Sequence, residues 1–127
     1  MGEPALAGPL RGTCVLLVED HEDARDLFTS MLEYAGAFVL SAASVDEALR
    51  ISRGVRVDVI VTDIGLRPRP GTWFVEDGRY APRFSGVPVI AVTGRDIPPS
   101  LRAMFEAVID KPVDAEALTA AILRSLG

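Results

Sequence analysis

The chain is short of several residue types at once. It carries one cysteine, one histidine, one tryptophan and one lysine in 127 residues. A single cysteine excludes an internal disulfide, and Cys14, set in the apolar run Cys14-Val15-Leu16-Leu17-Val18, reads as a small buried hydrophobe. The lone His21 has no second His or Cys with which to build a zinc site, and reads as an exposed residue near a helix N-terminus. No apolar run approaches the ~20 residues needed to span a bilayer, and the N-terminus lacks a basic-then-apolar leader pattern, so a cytoplasmic protein is expected. Excess basic charge is missing too. With 13 basic and 18 acidic side chains the net charge is -5, which argues against nucleic acid and anionic membranes as partners.

The shortage of lysine is the most pointed. Of the 13 basic residues 12 are arginine, and the exception is Lys111. Lysine offers a mobile point charge where arginine imposes a planar fork, so its single use marks a place where that difference matters.

Periodicity sets out the elements in order. Met1 to Gly12, with Pro4, Gly8, Pro9 and Gly12, shows none and reads as a flexible tail, leaving 13–127 as one domain. Thr13 to Val18 is a buried strand. Ala24, Leu27, Phe28, Met31, Leu32 and Ala35 then recur at helical spacing over Asp23 to Ala35, with Gly36 as a stop. Ala37 to Ser41 is a short strand, and Ser44-Val45-Asp46-Glu47 fits a capping box opening a second helix whose inner face is Val45, Ala48, Leu49 and Ser52. Within Val57 to Gly65 a β-branched strand ends at Asp63, and Gly65 follows as a turn. Leu66 to Gly71 is a loop, and Thr72 to Tyr80 a short helix with weak periodicity. Val87 to Val92 is the fourth strand, Ser100 to Glu106 a helix behind Pro98-Pro99, Ala107 to Ile109 the fifth strand, and Asp114 onward the last helix. Strand and helix alternate five times, which predicts an α/β parallel sheet covered by helices on both faces.

Four strands end in polar groups: Glu19-Asp20, Asp63, Thr93 and Lys111. Parallel strands bring these ends to one edge of the sheet, where ligands of open α/β folds gather. Three carboxylates placed together stay ionised only beside a cation, and a few acids with a backbone carbonyl and waters suit magnesium or manganese. A threonine hydroxyl and a lysine ammonium on the far side of Asp63 suit an incoming phosphoryl group. The set fits transfer of phosphoryl onto a carboxylate, which is already an anion and needs no base.

Leu16 to Asp20 followed by His21-Glu22-Asp23, the Val59 to Asp63 strand end, Val89 to Gly94, and Asp110-Lys111-Pro112 together resemble the motif set of the receiver domain of two-component response regulators, over roughly Thr13 to Leu126. The resemblance implies a flavodoxin-like (βα)5 doubly wound five-stranded sheet of order 2-1-3-4-5. It implies Asp63 as phosphoacceptor and Glu19, Asp20, Asp63 and the Gly65 carbonyl as magnesium ligands. Thr93 and Lys111 would bind the phosphoryl oxygens. It implies a sensor histidine kinase or histidine phosphotransfer protein as donor and a protein target as readout, with a homodimer as a further form. Activity of its own would be confined to self-phosphorylation and autodephosphorylation. Because the sequence stops with its fifth helix, a single-domain regulator in a phosphorelay is expected; a receiver from a larger regulator or hybrid kinase is the alternative.

Two departures weigh against the family's usual switch. The place three residues before the lysine, usually aromatic, holds Val108, with Phe105 the nearest aromatic; and the Thr93 to Lys111 segment is short by roughly one helical turn. The missing aromatic favours a second candidate, an interaction module that works without phosphorylation; the complete acid, threonine and lysine set opposes it. A haloacid dehalogenase type of phosphatase is a third, but it wants a second acid two residues after its nucleophile, and here that residue is Gly65.

Overall fold

The structure, a computed structural model, describes residues 8–127. Five strands and five helices alternate: β1 Cys14–Val18, α1 Glu22–Tyr34, β2 Phe38–Ala42, α2 Val45–Ile51, β3 Val59–Asp63, α3 Trp73–Glu76, β4 Val89–Thr93, α4 Pro99–Arg102, β5 Ala107–Asp110 and α5 Ala115–Leu126. Two 3-10 turns, Gly78–Tyr80 and Pro82–Phe84, stand between α3 and β4. All strand pairs are parallel, as the strand–helix alternation predicts, and the order is β2-β1-β3-β4-β5, the doubly wound arrangement that the receiver-domain resemblance implies.

Alternation along the central strands divides the interior in two. Val15, Leu17, Val59, Val61, Ile90 and Val92 turn to the face covered by α1 and α5, where Phe28, Leu32, Leu118 and Ile122 meet them. Leu16, Val18, Ile60, Val89 and Ala91 turn to the other face, under Val45 and Ala48 of α2 and Phe74 and Val75 of α3. Strands buried on both faces have no reason to alternate polar and apolar, which explains the unbroken runs in the sequence.

Helix ends follow local chemistry. His21 caps α1, its Nδ1 accepting from the Ala24 N–H at 3.4 Å. Ser44 Oγ accepts from Glu47 N at 3.1 Å, while the Glu47 carboxylate takes the N–H of Ala43 at 2.6 Å, one residue further back than in a standard capping box. Asp114 caps α5 through the Ala117 N–H.

Three features differ from the sequence expectation. Residues 1–7 of the expected tail lie outside the described residues, but from Gly8 on the segment is built into the fold: Leu10 is fully buried and its N–H bonds the Ala35 carbonyl at 2.8 Å. Leu27, placed by periodicity on the inner face of α1, is 54% exposed, because Phe28 and Leu32 alone face the sheet squarely. The helix expected over 100–106 is only Pro99–Arg102. Met104 and Phe105 then bond back three residues, to Leu101 and Arg102, and Glu106 N already joins Val89 O at the head of β5.

Candidate functional site

The polar strand ends converge. The Glu19 N–H bonds Ala42 O at 3.0 Å, carrying the β1–β2 ladder one residue past β1 and fixing where Glu19 starts. Its side chain is 2% exposed, an unusual place for a carboxylate without partners. Oε2 accepts from the His21 N–H at 3.1 Å and Oε1 from Lys111 Nζ at 3.0 Å. Arg25, from the first turns of α1, donates to the Glu19 carbonyl at 3.0 Å and so holds the acidic turn from below. Asp20, beside it, is exposed.

Asp63 is the last residue of β3 and half-buried. Its Oδ1 accepts from the Gly65 N–H at 3.2 Å and its Oδ2 from Lys111 Nζ at 2.9 Å. Lys111 is delivered by the neighbouring edge: its N–H bonds Thr93 O at 2.8 Å, extending the β4–β5 ladder past Asp110. One ammonium thus spans two carboxylates that are 44 positions apart in sequence. An arginine would bring a planar, rigid fork here in place of this compact, mobile point charge.

The electrostatics follow from that bridge. Burial pushes the Glu19 carboxyl up from its ordinary range and the Asp63 charge adds to this, while the bonds from Lys111 and the His21 N–H work against it. Burial pulls the Lys111 ammonium down, but Asp63 and Glu19 outweigh it and hold the group above its ordinary value, so it stays charged. Carboxylate oxygens of Glu19, Asp20 and Asp63 lie within 4.8 Å of one another. Hard oxygen donors at that spacing, with negative charge exceeding what Lys111 neutralises, suit a divalent cation such as magnesium.

Above Asp63 opens a cleft of about 460 Å³, lined by Asp63, Gly65, Thr93, Arg95, Asp96 and Lys111 among others. Thr93 is buried, and its hydroxyl is engaged within its own turn: it accepts from the Arg95 N–H at 3.0 Å and donates to Arg95 O at 3.3 Å. Gly65 is exposed; a Cβ there would meet nothing within 4 Å and its φ is not positive, so its lack of a side chain serves open space above Asp63 rather than a tight turn. The six residues singled out in the sequence therefore share one edge, with Glu19, Asp20, Asp63 and Lys111 in mutual reach, and Gly65 and Thr93 on the walls of the same cleft.

Sequence reasoning missed three participants. Arg25 carries no local signal that its guanidinium returns to the Glu19 carbonyl. Arg69, in a loop with no pattern to read, pairs with Asp46 at 3.3 Å and stands 5.4 Å from the Trp73 ring centre, tying the loop after β3 to α2 and α3. Gly71 looks in sequence like the end of a proline-rich loop, and in space it lies against the Asp63 backbone.

Comparison with known proteins agrees with the fold. The family model described as response regulator receiver domain matches residues 15–123. An uncharacterised 14.6 kDa protein encoded in the sodA1 3′ region of Leptolyngbya boryana is 33% identical over 104 residues, 79% of each chain. Regulator of RpoS from Escherichia coli K12 is 34% identical over 107 residues, which are 83% of this chain but 32% of that protein. The structure of the chemotaxis response regulator CheY4 of Vibrio cholerae superposes with a TM-score of 0.80 at 28% identity, over 90% of this chain and 98% of that one.

Proposed function

The chain belongs to the family of response regulator receiver domains, and on that premise we propose that Asp63 accepts a phosphoryl group from a phosphohistidine of a sensor kinase or phosphotransfer protein. The observation that carries this is the Lys111 ammonium bridging Asp63 and the buried Glu19 at 2.9 and 3.0 Å, at the floor of an open cleft. The Asp63 carboxylate attacks phosphorus from the side opposite the imidazole nitrogen. The new O–P bond forms as the N–P bond breaks, and the departing nitrogen keeps the bonding pair and takes a proton from solvent. No base is required. Lys111 follows the charge from the carboxylate to the transferred oxygens, and Thr93 supplies a hydroxyl to the same group once it leaves Arg95. Glu19, Asp20, Asp63 and the Gly65 carbonyl would hold magnesium, which when bound neutralises charge on the phosphoryl oxygens. Output passes to a protein target, and the setting is cytoplasmic; among the described residues no helix is long and apolar enough to cross a membrane.

A second reading, an interaction module that works without phosphorylation, is favoured by Val108 in the place of the family's usual aromatic and by the hold of Arg95 on the Thr93 hydroxyl. Incubation with magnesium and acetyl phosphate, followed by intact-mass measurement, separates the two. Gain of one phosphoryl group by the wild type and none by Asp63→Asn is expected. A wild type that stays unlabelled while a control receiver labels would leave the interaction module standing.

A further inference from the structure

We propose that Gly71 is a positioning residue for the acceptor: it sets the Asp63 backbone, and through it the Gly65 N–H on the Asp63 carboxylate, without touching the reacting atoms. This rests on the reading of Asp63 as phosphoacceptor and adds a residue eight positions away to its machinery.

Gly71 is buried, and its φ is not positive, so its backbone conformation is open to any residue. Space is what demands glycine. A Cβ built on Gly71 overlaps the carbonyl oxygen of Asp63 and would stand 2.7 Å from Thr62 Oγ1. The same carbonyl receives the hydroxyl of the fully buried Thr62 at 2.8 Å, and the Gly71 N–H bonds the next carbonyl, Ile64 O, at 3.0 Å.

The Asp63 carbonyl, in the peptide that links it to Ile64, is therefore clamped by the Thr62 hydroxyl and by the close approach of Gly71. That peptide sets where the chain goes next, and two residues on the Gly65 N–H reaches back to Asp63 Oδ1 at 3.2 Å. The oxygen left to Lys111, Oδ2, is fixed by the same orientation. Between Ile64 and Gly71 the loop carries Pro68 and Pro70, and the Gly71 closure returns it to the strand it left. Displacing Gly71 by the width of a methyl group rotates the acceptor carboxylate, and in-line transfer is sensitive to displacements of that size.

The test compares wild type, Gly71→Ala and Thr62→Val, the last keeping side-chain shape while deleting the hydroxyl from the clamp. Two quantities are read: the initial rate of labelling by acetyl phosphate with magnesium, and the Gly65 amide resonance in a 15N spectrum of the unlabelled protein. Gly71→Ala is expected to label about tenfold slower or worse, with the Gly65 amide shifted and exchanging faster, in a protein of native circular dichroism. Thr62→Val is expected to slow labelling about threefold with a smaller Gly65 shift. Should Gly71→Ala fail to fold, Thr62→Val decides alone. Labelling of the folded variants within about twofold of wild type, or an unmoved Gly65 amide, overturns the proposal. A wild type that does not label overturns the phosphoacceptor reading instead, and the Gly65 amide then still decides whether Gly71 sets the loop.

Discussion

At the scale of single residues the chemistry turns on Lys111. Its one nitrogen serves two carboxylates, so Lys111→Arg is expected to keep the positive charge and permit labelling of Asp63, yet lose the simultaneous contact with Glu19 that ties the acceptor to β1. Fluorescence of Trp73, on the helix that follows the acceptor loop, checks this: a change on labelling in wild type should be absent in the variant, whereas an unaltered signal would show that arginine substitutes freely. Cys14 makes a second, independent case. Burial first, and the Asp58 charge second, push its thiol up. A raised value means less thiolate at any given pH, so alkylation of the native protein should climb with pH through a midpoint above the ~8.5 of a free thiol and return towards it in urea. Asp58→Asn should lower the native midpoint only in part, since burial is the larger cause; mass spectrometry of iodoacetamide-treated protein reads both. The residues of the site were legible because each sits at a strand end and is chemically out of place there. Arg25 and Gly71 were not, because an arginine on a helix and a glycine after proline look ordinary until the contact across the fold is seen.

At the scale of elements, strands and the Ser44 cap could be read closely, since Ser44 acts within three residues of the N–H group it satisfies; His21 and Asp114 cap α1 and α5 over the same short reach, though the sequence marked them only as lying at helix starts. The α4 region could not be read closely. Leu101 and Phe105 lie four apart and imitate a helical face, but β5 must begin at Ala107, so the chain leaves the helix at Arg102 and reaches Phe105 through tight turns. Phe105 is buried all the same, and with Val108 it packs into the cluster beneath α2 and α3. A segment this short has little intrinsic helical stability, so its place depends on that ring. Phe105→Ala is expected to cost about 3–5 kcal/mol in urea unfolding. Because the ring packs in the core and not along the cleft above Asp63, labelling of the folded variant should proceed near the wild-type rate. A loss of labelling in folded Phe105→Ala would instead tie α4 to the acceptor directly.

At the scale of the whole molecule the parallel sheet covered on both faces was legible from alternation, and its strand order from the receiver-like motifs at the strand ends. What closes the first of the two cores was not. The segment before β1 has no period, yet Leu10 inserts fully among Val15, Phe28, Leu32, Ala35 and Ala37, where α1 turns into β2. Three further contacts hold it there: the Leu10 N–H on Ala35 O, the Thr13 N–H on Leu10 O at 2.9 Å, and Gly8, where a Cβ would overlap the Ala35 carbonyl. A single leucine between glycines gives no pattern to read, and its burial is decided by a turn more than twenty positions away. Leu10→Ala removes a fully buried side chain and is expected to cost about 2–5 kcal/mol, towards the upper end because backbone bonds on both sides hinder collapse of the cavity. Urea unfolding should show a lower midpoint at unchanged slope, since the surface exposed on unfolding scarcely alters. A chain starting at Thr13 should lose at least as much, because it forfeits the side chain and the Ala35 contact together. Equal stability of that shorter chain and the wild type would return the segment before β1 to the status of a tail.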